Sequence, residues 1–146
     1  MIICDTGPLL AIANSKDSEH IACTAALADA PGPLIVPSTI VTEVCYMLAR
    51  LGPQAEAQFL RALAAEELQV EPLTSSDFGR MAELVIQYGG FPLGAADASV
   101  VAVAERLGVT TVATLDHRHF RQIVPKHCAA FTLLPGEEQL ARHQRR

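Results

Sequence analysis

The sequence has no long hydrophobic run. None of its apolar stretches approaches the roughly 20 residues that a membrane-spanning helix needs. The N-terminal segment MIICDTG contains no basic residue and reaches an acid at Asp5, a pattern that differs from that of a secretion signal. The sequence therefore predicts a soluble, cytoplasmic protein with no membrane partner.

Paired cysteines and an excess of basic residues are also missing. The four cysteines, Cys4, Cys23, Cys45 and Cys128, form no C-x-x-C motif, and no Cys/His cluster has zinc-finger spacing. We therefore expect buried, reduced thiols. The formal net charge of −5 argues against a protein that wraps nucleic acid with a basic surface. It leaves room for phosphate binding through metal ions, because a bound cation inverts the local field.

Short apolar runs alternate with helical patterns along the 146 residues. The predicted strands cover residues 1–4, 34–36, 68–73, 110–115 and 130–134, and the predicted helices lie near 8–14, 18–30, 40–50, 54–66, 76–88 and 95–107. This alternation is typical of an α/β fold, in which a mainly parallel sheet of four or five strands is covered by helices on both faces. We expect one domain over residues 1–135, followed by a polar, basic tail or frayed helix over 136–146.

Several residues predict where helices begin and end. Pro8 suits the first position of a helix, and Ser38 and Thr39 are candidate N-caps for the helix that follows the second strand. Thr74 precedes another helix, and Gly108 suits the position just past a helix end.

Two acids follow predicted strands directly. Asp5 comes at the carboxyl end of the first strand, and Asp116 at the end of TTVATL. Open parallel sheets bind ligands outside the carboxyl ends of their strands, so these carboxylates share one edge if their strands are neighbours. The alternative for each is to cap a helix or form a turn, because Asp is common in both roles.

Two further acids lie on predicted helices. Asp97, in the first turn of its helix, shares a face with Val100 and Val101. Compensation of the helix dipole explains its position along the helix but not its apolar face. Glu43 lies at the edge of the apolar arc of its helix, beside Met47; the alternative is a boundary glutamate whose carboxylate reaches water.

Four carboxylates in one pocket repel each other, and without a cation at least one of them has a raised pKa. Oxygen-rich clusters of this kind suit Mg²⁺ or Mn²⁺. Such ions bind substrate phosphates, activate water and stabilise charge on phosphorus. Joint placement of the four acids therefore predicts phosphoryl transfer or phosphodiester hydrolysis.

The order of these motifs resembles the PIN-domain family, most of all its VapC-type toxin ribonucleases. In that family a hydrophobic strand ends in Asp, often followed by Thr or Ser, and a leucine-rich helix comes next; here MIICDTGPLLAI supplies Asp5. A strand, a proline and a glutamate-bearing helix follow, here LIVPSTIVTEV with Glu43. A small-residue-rich helix begins with the third acid, here LGAADASVVAVAERLG with Asp97. The segment TTVATLDHRHF then supplies a strand, Thr114, Asp116 and an aromatic residue.

The resemblance implies a three-layer α/β/α fold and an endoribonuclease that depends on Mg²⁺ or Mn²⁺. It assigns catalytic and metal-binding roles to Asp5, Glu43, Asp97 and Asp116, the last being the least constant position of the family pattern. It also implies an RNA substrate, a homodimer and a cognate antitoxin that blocks the acidic site.

Other residues near these motifs have weaker assignments. Thr6 and Thr114 are candidates to hydrogen-bond the carboxylates, with local turn bonds as the alternative. Arg118 is a candidate RNA contact, with an exposed surface loop as the alternative. Gly7 stands where many family members have serine, which removes one hydroxyl from the neighbourhood of Asp5.

Four rival functions are weighed against this one. An aspartic protease also carries Asp-Thr-Gly, but that class is all-β, whereas here the tripeptide leads into Pro8 and a helix. Phosphatases with a nucleophilic Asp on the first strand usually have a second Asp two residues on, where this chain has Gly7. An RNA-processing nuclease without an antitoxin, or a non-catalytic PIN-like module that binds RNA or protein, stays open.

Overall fold

The computed structural model describes the backbone of residues 1–144 and the side chains of residues 1–140. The strands are β1 (Ile2–Cys4), β2 (Leu34–Pro37), β3 (Gln69–Glu71), β4 (Thr111–Ala113) and β5 (Thr132–Leu134). The helices are α1 (Thr6–Ala13), α2 (His20–Ala28), α3 (Ser38–Leu48), α4 (Pro53–Ala64), α5 (Ser75–Gln87), α6 (Ala95–Leu107), α7 (His117–Gln122) and α8 (Glu137–Gln144), and a 3-10 turn (Ala49–Leu51) joins α3 to α4.

The strands form one parallel sheet in the order β3-β2-β1-β4-β5. From β1 the chain proceeds outward through β2 to β3, then returns across the sheet to β4 and continues to β5 on the other side. The direction of winding therefore reverses between β1 and β4. In α/β sheets the crevice at the carboxyl ends of such a strand pair is the usual ligand site.

The core lies between the sheet and its helices. Strand β1 is almost completely buried, and so is the stretch of α6 from Ala98 to Ala104. Burial on all sides explains why both segments consist of small and branched apolar residues without an alternating polar face. The three-layer α/β/α fold expected from the sequence is confirmed.

Helix α6 is tied to α5 and β3 by ion pairs at the end remote from Asp97. Arg80 Nε donates to Glu105 Oε1 at 2.7 Å, and Arg106 Nε donates to Asp77 Oδ1 at 3.0 Å. Arg106 also pairs with Glu71 of β3 at 2.8 Å. Asp77 is nearly buried and its pKa is lowered despite burial, because Arg106 and the amide of Thr74 donate to its carboxylate. These contacts fix the helix that carries one of the candidate acids.

Helix boundaries differ from the sequence-based expectation in two places. Helix α1 begins at Thr6, so Pro8 is its third residue rather than its first, a position that the missing N–H of proline still tolerates. Pro37 occupies the N-cap of α3, so Ser38 and Thr39 lie inside the helix and do not cap it. The capping box at Thr74 and the left-handed residue Gly108 after α6 are as expected.

Two segments were assigned too little structure from the sequence. Residues 117–122, to which no element was assigned and where a surface loop was the alternative for Arg118, form the helix α7. Most of the segment 136–146, expected to be a tail or frayed helix, forms α8, which contacts α2. Its last two residues, and the basic side chains from Arg142 onward, lie outside the described residues.

The cysteines are all free thiols, and no described helix is membrane-like. Cys4 and Cys23 are buried, as expected, but Cys45 and Cys128 are only half-buried. Within residues 1–144, none of the helices has the length and apolar character that crossing a bilayer requires.

Candidate active site

The first carboxylate of the site comes from the end of β1. Register pairs Cys4 with Ala113, and the ladder continues one step further because the amide of Asp5 donates to the carbonyl of Ala113 at 2.8 Å. Asp5 therefore lies directly beside Thr114, the first residue after β4. Only 7% of the Asp5 surface is exposed.

The hydroxyl of Thr114 joins two acids. It donates to Asp5 Oδ2 at 2.8 Å and accepts from the backbone amide of Asp116 at 3.0 Å. Thr114 is fully buried, so its hydroxyl has no water to exchange for these partners. One side chain thus orients the Asp5 carboxylate and sets the backbone position of Asp116.

The helices that carry the other two acids are braced against each other. The hydroxyls of Thr39 on α3 and Ser99 on α6 lie 2.6 Å apart, and Ser99 also donates to the carbonyl of Ala96. Glu43 follows Thr39 by one turn, and Asp97 precedes Ser99 by two residues, so this bridge joins the segments of α3 and α6 that carry the two acids. Thr39 and Ser99 were not foreseen as site residues, because single hydroxyls on helices carry no distinctive sequence signal.

The four acids line one open cleft of about 440 Å³. Its other lining residues are Thr6, Gly7, Leu10, Met47 and Leu115, so among the described residues no Lys or Arg contributes to it. The four acids predicted from the sequence therefore share a common space that no Lys or Arg lines, and His119 is the basic side chain that contacts one of them, Asp116.

The electrostatics of the cleft follow from this imbalance. Burial raises the pKa of Asp5 from 3.8 to about 6, against the lowering effect of the Thr6 amide and the Thr114 hydroxyl, and the charges of Asp97 and Glu43 add to the rise. Burial also raises the pKa of Asp97, and the next contribution is the charge of Asp116. A site that makes its own carboxylates hard to ionise is poised to bind a cation.

Asp116 differs from the other acids because it also caps a helix. Its Oδ1 accepts from the amide of His119 at 3.3 Å, and its Oδ2 lies 2.6 Å from Nδ1 of the same histidine. The His119 ring stacks on Phe91, with centroids 5.1 Å apart. The capping alternative therefore holds for Asp116, whereas Asp5 precedes α1 without a side-chain cap bond.

The two weaker candidates, Thr6 and Arg118, differ in whether they line the cleft. The Thr6 hydroxyl is buried at the cleft and has no hydrogen-bond partner among the described residues. Arg118 is exposed on α7, two residues after Asp116, and does not line the cleft.

Gly7 has a steric reason to be glycine. A Cβ atom at this position would lie 3.2 Å from Leu115 Cβ, which is closer than most such contacts. The first turn of α1 thus approaches the segment between Thr114 and Asp116 closely, and a serine here would press on it. Gly7 also precedes Pro8, and a side chain before proline disfavours helical backbone.

We expect Gly7→Ala to lower the free energy of unfolding by about 1 kcal/mol, because overpacking against Leu115 outweighs the gain in helix propensity. The matched control is Gly79→Ala in α5, where an added Cβ meets nothing within 4 Å and should stabilise by about 0.5–1 kcal/mol. Urea unfolding measures both. In a Leu115→Ala background the cost of Gly7→Ala should shrink; equal effects of the two glycine substitutions would contradict the steric explanation.

The residues present fit a hard divalent cation. Every charged donor in the cleft is a carboxylate, and the orphaned Thr6 hydroxyl adds another oxygen. Among the described residues no three His, Cys, Asp or Glu side chains form a ready-made ligand cluster. The all-oxygen donor set suits Mg²⁺, a hard cation that keeps several waters, better than it suits zinc, which is bound mainly by nitrogen and sulfur ligands.

Comparison with known proteins agrees with this architecture. The PIN domain family model matches residues 2–124. Ribonuclease VapC26 of Mycobacterium tuberculosis is 32% identical over 135 residues, which cover 92% of this chain and 100% of that protein.

Two solved structures share the fold. The crystal structure of Mycobacterium tuberculosis VapC20, a Sarcin-Ricin loop cleaving toxin, superposes with a TM-score of 0.72 and 20% identity, covering 77% of this chain and 87% of that one. VapBC2 from Rickettsia felis, bound to a DNA fragment from its promoter, gives a TM-score of 0.66 and 16% identity, with 91% of this chain and 97% of that one covered. Together with the family match over most of its length, these likenesses show that the chain belongs to the PIN-domain family.

Proposed function

We propose that this protein is a divalent-metal-dependent endoribonuclease that acts as the toxin of a toxin–antitoxin pair. The observation that carries the proposal is the cleft that Asp5, Glu43, Asp97 and Asp116 line together, with no Lys or Arg among its lining residues. The ribonuclease activity in the name of the 32% identical relative supports RNA as the substrate class.

The proposed metal is Mg²⁺ or Mn²⁺, held by Asp5, Glu43 and Asp97 directly or through water, with Asp116 completing the shell or binding a second ion. When bound, such an ion supplies positive charge for the phosphodiester and lowers the pKa of a water nucleophile. Asp116 has the weaker claim, because its two oxygens already bond the backbone and ring of His119.

The chain's own residues prepare the site. Thr114 holds the Asp5 carboxylate in one orientation, and the Thr39–Ser99 bridge holds the helices of Glu43 and Asp97 at a fixed separation. Fixed carboxylates need no reorganisation when charge develops on the substrate. Because the pKa of Asp5 is about 6, this group must release a proton before the site is fully charged, so cation affinity should fall below that pH.

A cognate antitoxin and a homodimer are part of the proposal. The Rickettsia felis structure contains a toxin with its antitoxin on promoter DNA. For the present chain, an antitoxin that covers the cleft would have to satisfy its uncompensated carboxylates, and a basic side chain does this best. Exposed apolar residues on α5, including Phe78 and Ile86, provide surface for a second copy.

The first test is cleavage of structured and single-stranded RNA by the purified protein. We expect cleavage with Mg²⁺ or Mn²⁺, none in EDTA, and recovery when the ion is restored. Gel electrophoresis of end-labelled RNA measures the products and distinguishes internal cuts from trimming at the ends. RNA binding without metal-dependent cleavage would favour the non-catalytic module instead.

A further inference from the structure

An exposed aromatic residue and an arginine lie just beyond the cleft on α3. Tyr46 has 68% of its surface exposed, and the guanidinium carbon of Arg50 lies 5.4 Å from the centre of its ring. On the same helix Glu43 and Met47 line the acidic cleft. The Tyr46–Arg50 pair therefore lies next to the residues of α3 that line the cleft.

Helix geometry puts these side chains on one face. Residues three, four and seven positions apart project from the same side of a helix. Tyr46 follows Glu43 by three positions and Arg50 follows it by seven, about 10 Å along the axis at 1.5 Å per residue. Arg50 lies in the 3-10 turn that continues α3, so the face extends past the end of the α-helix.

Arg50 is also electrostatically available. Four cations of the described side chains are engaged in ion pairs: Arg80, Arg106, Arg121 and Lys126. Arg50 makes no ion pair within residues 1–140; its contact there is the ring of Tyr46. The protein as a whole carries a net charge of −5, so it has few cations near the acidic cleft that could attract a polyanionic ligand.

We propose that Tyr46 and Arg50 form an RNA subsite, in which a nucleobase stacks on Tyr46 and the adjoining phosphate pairs with Arg50. This inference depends on the proposed nuclease function, because it places an RNA strand across the cleft. The acidic cleft repels phosphates except where an ion is bound, so affinity for the flanking nucleotides has to come from side chains outside it. Stacking and a guanidinium contact supply that affinity without demanding a base sequence.

The ring can accept a base although Arg50 covers one face. At 68% exposure most of the Tyr46 surface stays open to solvent. Arg50 can keep its place over the ring, because its planar guanidinium stacks on aromatic faces and still donates hydrogen bonds at its edges. An exposed cation–π pair contributes little to folding, so a function in binding is the stronger explanation for an uncovered tyrosine at this place.

The experiment compares Tyr46→Ala, Tyr46→Phe and Arg50→Gln with wild type in steady-state RNA cleavage. We expect Tyr46→Ala to raise KM about tenfold, the usual effect of losing one base–aromatic stack, with kcat unchanged since the pair does not touch the reacting atoms. Tyr46→Phe keeps the ring and should cleave as wild type does. The control is Ile21→Ala on α2, which removes an apolar side chain that is 64% exposed and should change neither constant.

Binding is measured separately in an Asp97→Asn background by fluorescence anisotropy of a labelled single-stranded RNA of mixed sequence. Arg50→Gln should weaken binding and reduce the slope of log K against log salt by about 0.7, the value for one phosphate contact on a single strand. Unchanged KM and RNA affinity in Tyr46→Ala would overturn the subsite while leaving the nuclease proposal intact. A change of mass in light scattering with unchanged KM would show a protein interface instead, and also overturn it. A folded wild type that neither binds nor cleaves RNA would refute both proposals.

Discussion

Asp97→Asn is expected to lower the rate of RNA cleavage at least ~1,000-fold, because it removes one of the carboxylates that would hold the divalent ion, and such an ion stabilises transition-state charge by several kcal/mol. Asparagine has the same shape but no charge. The substitution therefore tests the charge of the side chain without changing its volume.

The fold should survive this change. Burial and the neighbouring charge of Asp116 raise the pKa of Asp97, so its ionised form is electrostatically unfavourable in the metal-free protein. A neutral amide removes that cost. Asp29→Asn, at an exposed position after α2, is the matched control and should cleave as wild type does. Rates are measured by single-turnover cleavage of labelled RNA, with circular dichroism to verify folding. Wild-type rates in Asp97→Asn would remove Asp97 from the active site.

The positions of the acids could be predicted from the sequence because they depend on topology. A carboxylate directly after a parallel strand must lie at the carboxyl edge, wherever the strand pairs. Asp5 needed only that rule, together with the adjacency of β1 and β4, which the structure supplies; Asp116 follows the end of β4 by three residues, and the Thr114 hydroxyl also fixes its backbone. The two helical acids, Glu43 and Asp97, were singled out by their positions on or beside the apolar faces of their helices, and the PIN-domain resemblance, now confirmed, supported their selection.

The contacts that orient the acids could not be predicted in this way. The bond from Thr114 to Asp5 joins residues 109 positions apart, and the Thr39–Ser99 bridge joins residues 60 apart. Such pairs form only when distant elements pack at the right depth. No local pattern in a single sequence indicates that depth. The steric role of Gly7 is similar, since it depends on the approach of Leu115.

Helix α7 was missed for a different reason. Its six residues, HRHFRQ, contain one apolar side chain, Phe120, and one turn and a half is too short to show a helical period. The signal that was available is the N-cap: Asp116 precedes the helix and accepts from the amide three residues on. Asp116 was considered above as a metal ligand. The structure shows that it caps α7 and also lines the cleft.

Asp5→Asn is expected to stabilise the metal-free protein at neutral pH while it abolishes cleavage. Burial is the main cause that raises the pKa of Asp5 from 3.8 to about 6. A tenfold change in a proton-binding constant corresponds to about 1.4 kcal/mol, so the ionised carboxylate costs the folded state on the order of 3 kcal/mol near pH 7. Asparagine avoids this cost and can still accept from the Thr114 hydroxyl.

The sign of the pH dependence follows from proton binding. The folded protein holds the Asp5 proton more tightly than the unfolded chain does. Between about pH 4 and pH 6 it therefore binds more protons than the unfolded chain, and its stability falls as the pH rises. Below that window Asp5 is protonated in both states and contributes no difference. The stability of Asp5→Asn relative to wild type should thus increase by about 2–3 kcal/mol from pH 4 to pH 7.

Urea unfolding of both proteins in EDTA across this pH range measures the effect, with Asp29→Asn as a control whose difference from wild type should stay nearly constant. Adding Mg²⁺ at pH 7 should stabilise wild type more than Asp5→Asn, because the stabilisation by a ligand grows with RT ln(1 + [L]/Kd) and the variant should bind the ion more weakly. Both results depend on the negative charge of the Asp5 carboxylate. The carboxylate that weakens the empty fold at neutral pH is the one that a cation would neutralise. A pH-independent difference would show that Asp5 ionises normally and that the cleft does not concentrate negative charge as its geometry indicates.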